Sequence, residues 1–224
     1  MPDHNYFSNL IWQIADLLRG PYRPPQYERV MLPMTVLRRF DCVLAPTKAK
    51  VLAEYERRKG GKLEGDALDT NLNKAAGQRF HNHSPLDFEK LKGDPDNIEK
   101  HVVSYIKGFS KNVRDIFDFF EFESEIERMR EANLLYLVVS KFCDVDLHPE
   151  RVPNEQMGLI FENLIRRFIE LSVKCVTLEP PALTSGVLGQ DLGLRRGEHA
   201  VEPAQHGHRQ HDALVLRRAV RAAQ

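Results

Sequence analysis

Much of what identifies an enzyme at a glance is missing from this sequence. Its 224 residues include only three cysteines and one tryptophan. Cys42, Cys143 and Cys175 are odd in number and far apart, so they form neither a disulfide framework nor a Cys-x-x-Cys metal knuckle. No Gly-x-Gly occurs, which excludes a dinucleotide fingerprint and a methyl-donor loop of that pattern. No apolar run approaches the roughly 18 residues of a membrane helix. Residues 1–7 lack the basic-then-apolar layout of a secretory signal, so a cytoplasmic protein is expected. Lys+Arg and Asp+Glu both number 32. Any contact with nucleic acid must therefore come from a local patch rather than from whole-chain charge.

Composition changes near Ser172. All 12 Phe, 6 Tyr and the single Trp lie at or before Phe168, and residues 173–224 also lack Ile and Asn. That segment cannot build an aromatic-rich core. Arg, Ala, Gly, Pro, His and Gln dominate it instead, all residues with GC-rich or CAN codons. It reads either as a low-complexity, disordered tail or as a GC-rich gene translated in the wrong frame, and the composition favours the frameshift. Its histidines, His199, His206, His208 and His211, have no fixed geometry in such a segment, and no biological metal site is expected there.

Residues 1–172 read as an all-α, bundle-like domain. Leu10, Ile11, Ile14, Leu17 and Leu18 recur at helical spacing between a capping Ser8 and Gly20. Pro21, Pro24 and Pro25 stiffen the connection that follows. A second helix is expected from Tyr27 to Val43 with Val30, Met31, Met34, Leu37 and Phe40 inward, kinked or restarted at Pro33. A third spans Thr47 to Lys59, and Lys62 to His83 reads as a polar, irregular loop. Further helices are expected over Asn97–Phe109, Asn112–Phe120, Glu123–Ala132, Asn133–Cys143 and Asn154–Ser172. No alternating strand pattern or internal repeat occurs.

Candidate chemistry is sparse. His81, His83 and Asp87 could be imagined as metal ligands, even as a metal-dependent nuclease site, but no further ligand follows at a recognisable spacing and a polar loop is the expected role. Asp144, Asp146 and His148 resemble an acid–base cluster on paper, though capping and turn formation explain them more simply. Charge is more suggestive. Residues 1–59 carry 10 Lys+Arg against 6 Asp+Glu, while residues 60–172 carry 15 against 21. Arg19 and Arg23 flank the proline connection and Arg38-Arg39 lie on the second helix, four candidates for contact with DNA phosphate or a partner.

Several long runs then point to a family. They are Asn9-Leu-Ile-Trp-Gln-Ile-Ala-Asp-Leu-Leu-Arg19, Val30-Met-Leu-Pro-Met-Thr-Val-Leu-Arg-Arg-Phe-Asp-Cys-Val-Leu44, Gly108-Phe-Ser-Lys-Asn-Val-Arg-Asp-Ile-Phe117, Leu134-Leu-Tyr-Leu-Val138 and Met157-Gly-Leu-Ile-Phe-Glu-Asn-Leu-Ile-Arg-Arg-Phe168. Together they resemble the modification (M) subunit of type I restriction-modification systems, an N6-adenine DNA methyltransferase, over about residues 8–172. That part of the family is the helical N-terminal domain. The resemblance implies a complex of two M subunits with a specificity subunit, joined by a restriction subunit, closing as a clamp on double-stranded DNA. S-adenosylmethionine then methylates a flipped adenine in a following Rossmann-like domain.

The sequence departs from the family where that domain should begin. A segment like Glu-Thr-Ala-Gly-Glu-His-Phe-Thr-Pro, a Gly-rich cofactor loop and Asn-Pro-Pro-aromatic should follow the Phe168–Ser172 helix, and none is present. A one-base shift across Glu179–Ser185 permits Thr-Ala-Gly-x-His-Phe, but Gly186-Val187 does not permit Thr-Pro. No catalytic or cofactor residue is carried over. The expectation is a truncated, catalytically inactive M subunit that binds no S-adenosylmethionine by itself. The alternative is a non-catalytic helical module docking on a specificity or M subunit.

Overall fold

The computed structural model describes the backbone of residues 12–61 and 65–177, and side chains as far as Arg166 except at Pro25. Ser8, Leu10 and Ile11 of the first expected helix, and the histidines of the segment after residue 177, lie outside the described residues. Residues 12–18 are helical (α1). A 3-10 turn, Pro24–Gln26, leads into α2, Glu28–Leu44, and a second, Ala45–Thr47, leads into α3, Lys48–Arg58. Then come α4, Asp66–Ala76; α5, Phe88–Gly93; α6, Ile98–Lys107; and α7, Lys111–Phe119. The last are α8, Phe122–Glu131; α9, Leu135–Cys143; and α10, Asn154–Thr177. There is no strand among the described residues, only isolated bridges such as Asn82 to Phe109. No helix among them is long and apolar enough to cross a membrane.

α2 is the centre of the fold. Fourteen of its 17 residues are buried, including Leu32, Pro33, Val36 and Val43, which a one-sided amphipathic reading leaves outside. It packs against α8, α9 and α10, so it has almost no solvent face. Pro33 does not restart the helix: α2 is one element. Around it, Phe40 lies 4.6 Å from Phe80 and 6.1 Å from Phe109 between ring centroids, continuing through Phe117 to Phe122 in an aromatic spine. Tilted pairs of this kind fill a core while avoiding the face-to-face stacking that the ring quadrupoles disfavour.

One expectation fails outright. The loop expected from Lys62 to His83 contains α4, which packs on α3 and buries Leu72 and Ala76, with Leu68 packed against the core. Its apolar stripe is only two turns long and sits among Asp, Asn and Lys, so periodicity was faint. Its ends are nevertheless marked: Asp66 and Asp69 in the first turn, Lys74 in the last, and Gly77 at φ 65° closing the helix in the left-handed region. α10 also runs past Ser172 to Thr177, so the change in composition falls inside a helix.

Candidate nucleic-acid interface

The connection over residues 19–26 is held from below. Tyr22 is buried against α8, its hydroxyl 3.4 Å from the Glu125 carbonyl. Burial and the neighbouring Glu125 push its phenol well above the usual range. Arg128 lies 4.2 Å over the Tyr22 ring and donates to the Pro21 carbonyl at 2.6 Å and to Gln26 Oε1 at 3.3 Å. Three prolines and this clamp leave the chain little freedom. Arg19 and Arg23 therefore project from a fixed platform. Arg19 is 76% exposed beside Asp16 at 2.9 Å, an ion pair so solvated that it binds the side chain weakly. Arg29 adds a third exposed guanidinium next to the platform, 3.9 Å from Glu125. Sequence reasoning missed Arg29 and Arg128, because only the packing of α8 under the connection brings them there.

Arg38 and Arg39, expected on an outer surface, are turned inward. Arg38 donates to the carbonyls of Val145 at 2.8 Å and Cys143 at 2.9 Å and to Asp41 Oδ2 at 2.8 Å, with its guanidinium 5.1 Å over Phe88. Arg39 is 5% exposed and donates to the carbonyls of Leu147 and Val152 and to Asn154 Oδ1. Both guanidiniums are engaged by the chain between α9 and the start of α10. The cause is the position of α2: beyond its first turn the helix is enclosed, so a charge there has little water to reach and must find internal acceptors. Within that chain Asp146 accepts from the His148 amide at 2.9 Å and pairs with Arg151 at 3.2 Å, which makes it a turn former.

His81 and His83 are not on an open loop. His81 is fully buried, and its Nδ1 lies 2.8 Å from Asn73 Oδ1. The Asn73 amide nitrogen donates to the Arg79 carbonyl, so Asn73 Oδ1 is the acceptor and His81 Nδ1 carries the proton. His81 Nε2 faces His83 Nδ1 at 3.4 Å, and His83 stacks on Tyr55 with ring centroids 4.4 Å apart. Asp87 instead caps α5, accepting from the Lys90 amide at 2.9 Å. Among the described residues no group of three or more His, Cys, Asp or Glu is placed to hold a metal ion.

Burial first, with the like charge of His83 assisting and Asp69 opposing, pulls the His81 imidazolium down to about 4 from an ordinary 6.5. Between those values the unfolded chain binds more protons than the folded one, so stability is complete above about 6.5 and falls as pH drops toward 4. We expect His81→Gln to shrink the stability difference between pH 7 and pH 4.5 by about 1–2 kcal/mol in urea titrations. Equal pH slopes in the two proteins would contradict this role.

A cleft of about 530 Å³ is lined in part by Arg38, Asp41, Lys48, Asp87 and Tyr105. The Tyr105 hydroxyl donates to Asp41 Oδ1 at 2.6 Å. Burial raises the Asp41 carboxyl against the opposing effects of Tyr105 and Arg38. No motif announces this cluster, because α2, α3, the N-cap of α5 and α6 each supply only one or two of these residues.

A family model described as the HsdM N-terminal domain matches residues 7–142. No curated protein matches the chain.

Proposed function

The chain belongs to the HsdM N-terminal domain family, the helical domain of type I restriction-modification M subunits, and from that premise we propose that its helices clamp DNA within such a complex. The partners of this reading are a specificity subunit, a second M subunit and the restriction subunit. S-adenosylmethionine-dependent N6-adenine methylation is the chemistry of the assembled system. The reading gives residues 12–177 no part in holding the cofactor or the flipped base.

The observation that carries the proposal is the braced connection displaying Arg19 and Arg23, with Arg29 alongside. Guanidiniums on a pre-ordered backbone lose little freedom on meeting phosphate, and each contact releases counterions. In a complex assembled with a specificity subunit, Arg19→Glu with Arg23→Glu should weaken DNA binding about tenfold or more. It should also lower the salt slope by about two, because two phosphate contacts are removed. Unchanged affinity and slope would sink the phosphate role of this platform.

A second reading is a docking module that joins partners without touching DNA. Leu137 on α9 and Leu159 on α10, 44% and 57% exposed, favour it. Loss of subunit assembly by the same arginine variant, with DNA binding intact once assembled at high concentration, would select this reading.

A further inference from the structure

We propose that Lys48 is a site of Nε-acylation by small acyl phosphates, its amine presented in the cleft between α2, α3, α5 and α6. The argument begins with position. Lys48 is the first residue of α3, the end of a helix where the aligned peptide dipoles disfavour a cation. Its stem is half-buried, and Nζ lies 5.3 Å over the Tyr105 ring with Asn82 Oδ1 at 3.3 Å. The carboxylates that could hold it as an ammonium are engaged elsewhere: Asp41 pairs with Arg38 at 2.8 Å and Asp87 with Lys90 at 3.1 Å. A neutral amide oxygen and a ring face are thus its near neighbours, while the cleft leaves room for a small reagent.

The charged and titratable groups around Lys48 and its cleft are Arg38, Asp41 and Cys42 of α2, His83 and Asp87 of the chain before α5, Glu89 and Lys90 of α5, Tyr105 of α6, and Asp146 and His148 of the chain after α9. Burial outweighs the help of Asp41 and Asp87, with Lys90 assisting it, and brings the ammonium down to about 8. At pH 7 about a tenth is therefore free amine. That amine attacks the acyl carbonyl, a C–N bond forms, and the C–O bond to phosphorus breaks. Phosphate leaves with the electron pair, and the nitrogen gives its proton to water. The product is a neutral amide, so the cleft loses a positive charge beside Asp41 and Asp87.

The test treats the full chain with acetyl phosphate from pH 6.5 to 9.5 and quantifies each lysine by peptide mass spectrometry. Lys50, exposed on the same helix, is the internal reference. The larger neutral fraction, reduced by the weaker nucleophilicity of a less basic amine, predicts Lys48 reacting about tenfold faster than Lys50 at pH 7.5. Its rate should level off near pH 8, and the preference should vanish in urea. A Lys48 rate equal to or below that of Lys50, or a preference that survives unfolding, overturns the proposal.

Discussion

Arg39→Met is expected to lower stability by about 4 kcal/mol and the melting temperature by about 10 °C. Methionine matches the stem but leaves the carbonyls of Leu147 and Val152 and the amide of Asn154 without their donor in a buried site. Each stranded acceptor costs about 1–3 kcal/mol, and the three lie too close together to find water independently. Arg39→Lys should recover only a minor part, because one ammonium cannot reach three acceptors that a planar fork spans. Calorimetry and urea melts of both variants measure this. A loss below about 1 kcal/mol for Arg39→Met would mean that water replaces the guanidinium and that the side chain is not structural.

Gly108→Ala should cost about 3 kcal/mol, although alanine is the better helix former. The backbone at Gly108 is right-handed helical, φ −73°, so the glycine is not there for conformational freedom. It is there for space. A Cβ at this position would lie 2.6 Å from Ser84 Cβ and 2.9 Å from both Asn82 Oδ1 and the Ser84 amide nitrogen. All three atoms belong to a packed turn in which Asn82 Oδ1 accepts from the Ser84 amide at 2.7 Å, and the His83 amide donates to the Gly108 carbonyl at 2.9 Å. The turn must move away from α6, taking the buried His81 and Phe80 with it. Gly93→Ala, with nothing within 4 Å of the added atom, is the matched control and should be close to neutral in the same urea titration. Equal behaviour of the two variants would show that the turn yields freely.

What could be read in advance follows from how local each cause is. The ends of α2, α3, α6, α7, α8 and α9 fall within two residues of where spacing, caps and glycine stops put them, because those signals lie within the helix itself. α4 escaped because its burial is shallow and its apolar stripe short. The site residues escaped for a different reason. A run such as Arg38-Arg39 looks like a surface charge only if the helix has a surface, and the spacing that places the helix does not name α8, α9 and α10 as its cover. The excess of apolar residues on every side of α2, with Leu32, Pro33 and Val36 off the expected stripe, was the available hint. His81 illustrates the same limit, since Asn73 and Asp69 reach it only once α4 is in place.

The Arg39 clasp also sets an order of events during synthesis. Its acceptors Leu147 and Val152 lie 108 and 113 residues downstream. At about 5–20 residues per second, a ribosome needs on the order of 5–20 s to deliver them after α2 is made. For that interval the central helix of the fold waits without its cover, with Arg38 paired only to Asp41 of the same helix and Arg39 without its downstream acceptors. Those charges, with Glu28, Arg29 and Asp41 of the same helix, interrupt the apolar surface that the nascent chain exposes. The same two arginines that stitch the finished domain thus serve, earlier, to keep its centre from finding the wrong neighbour.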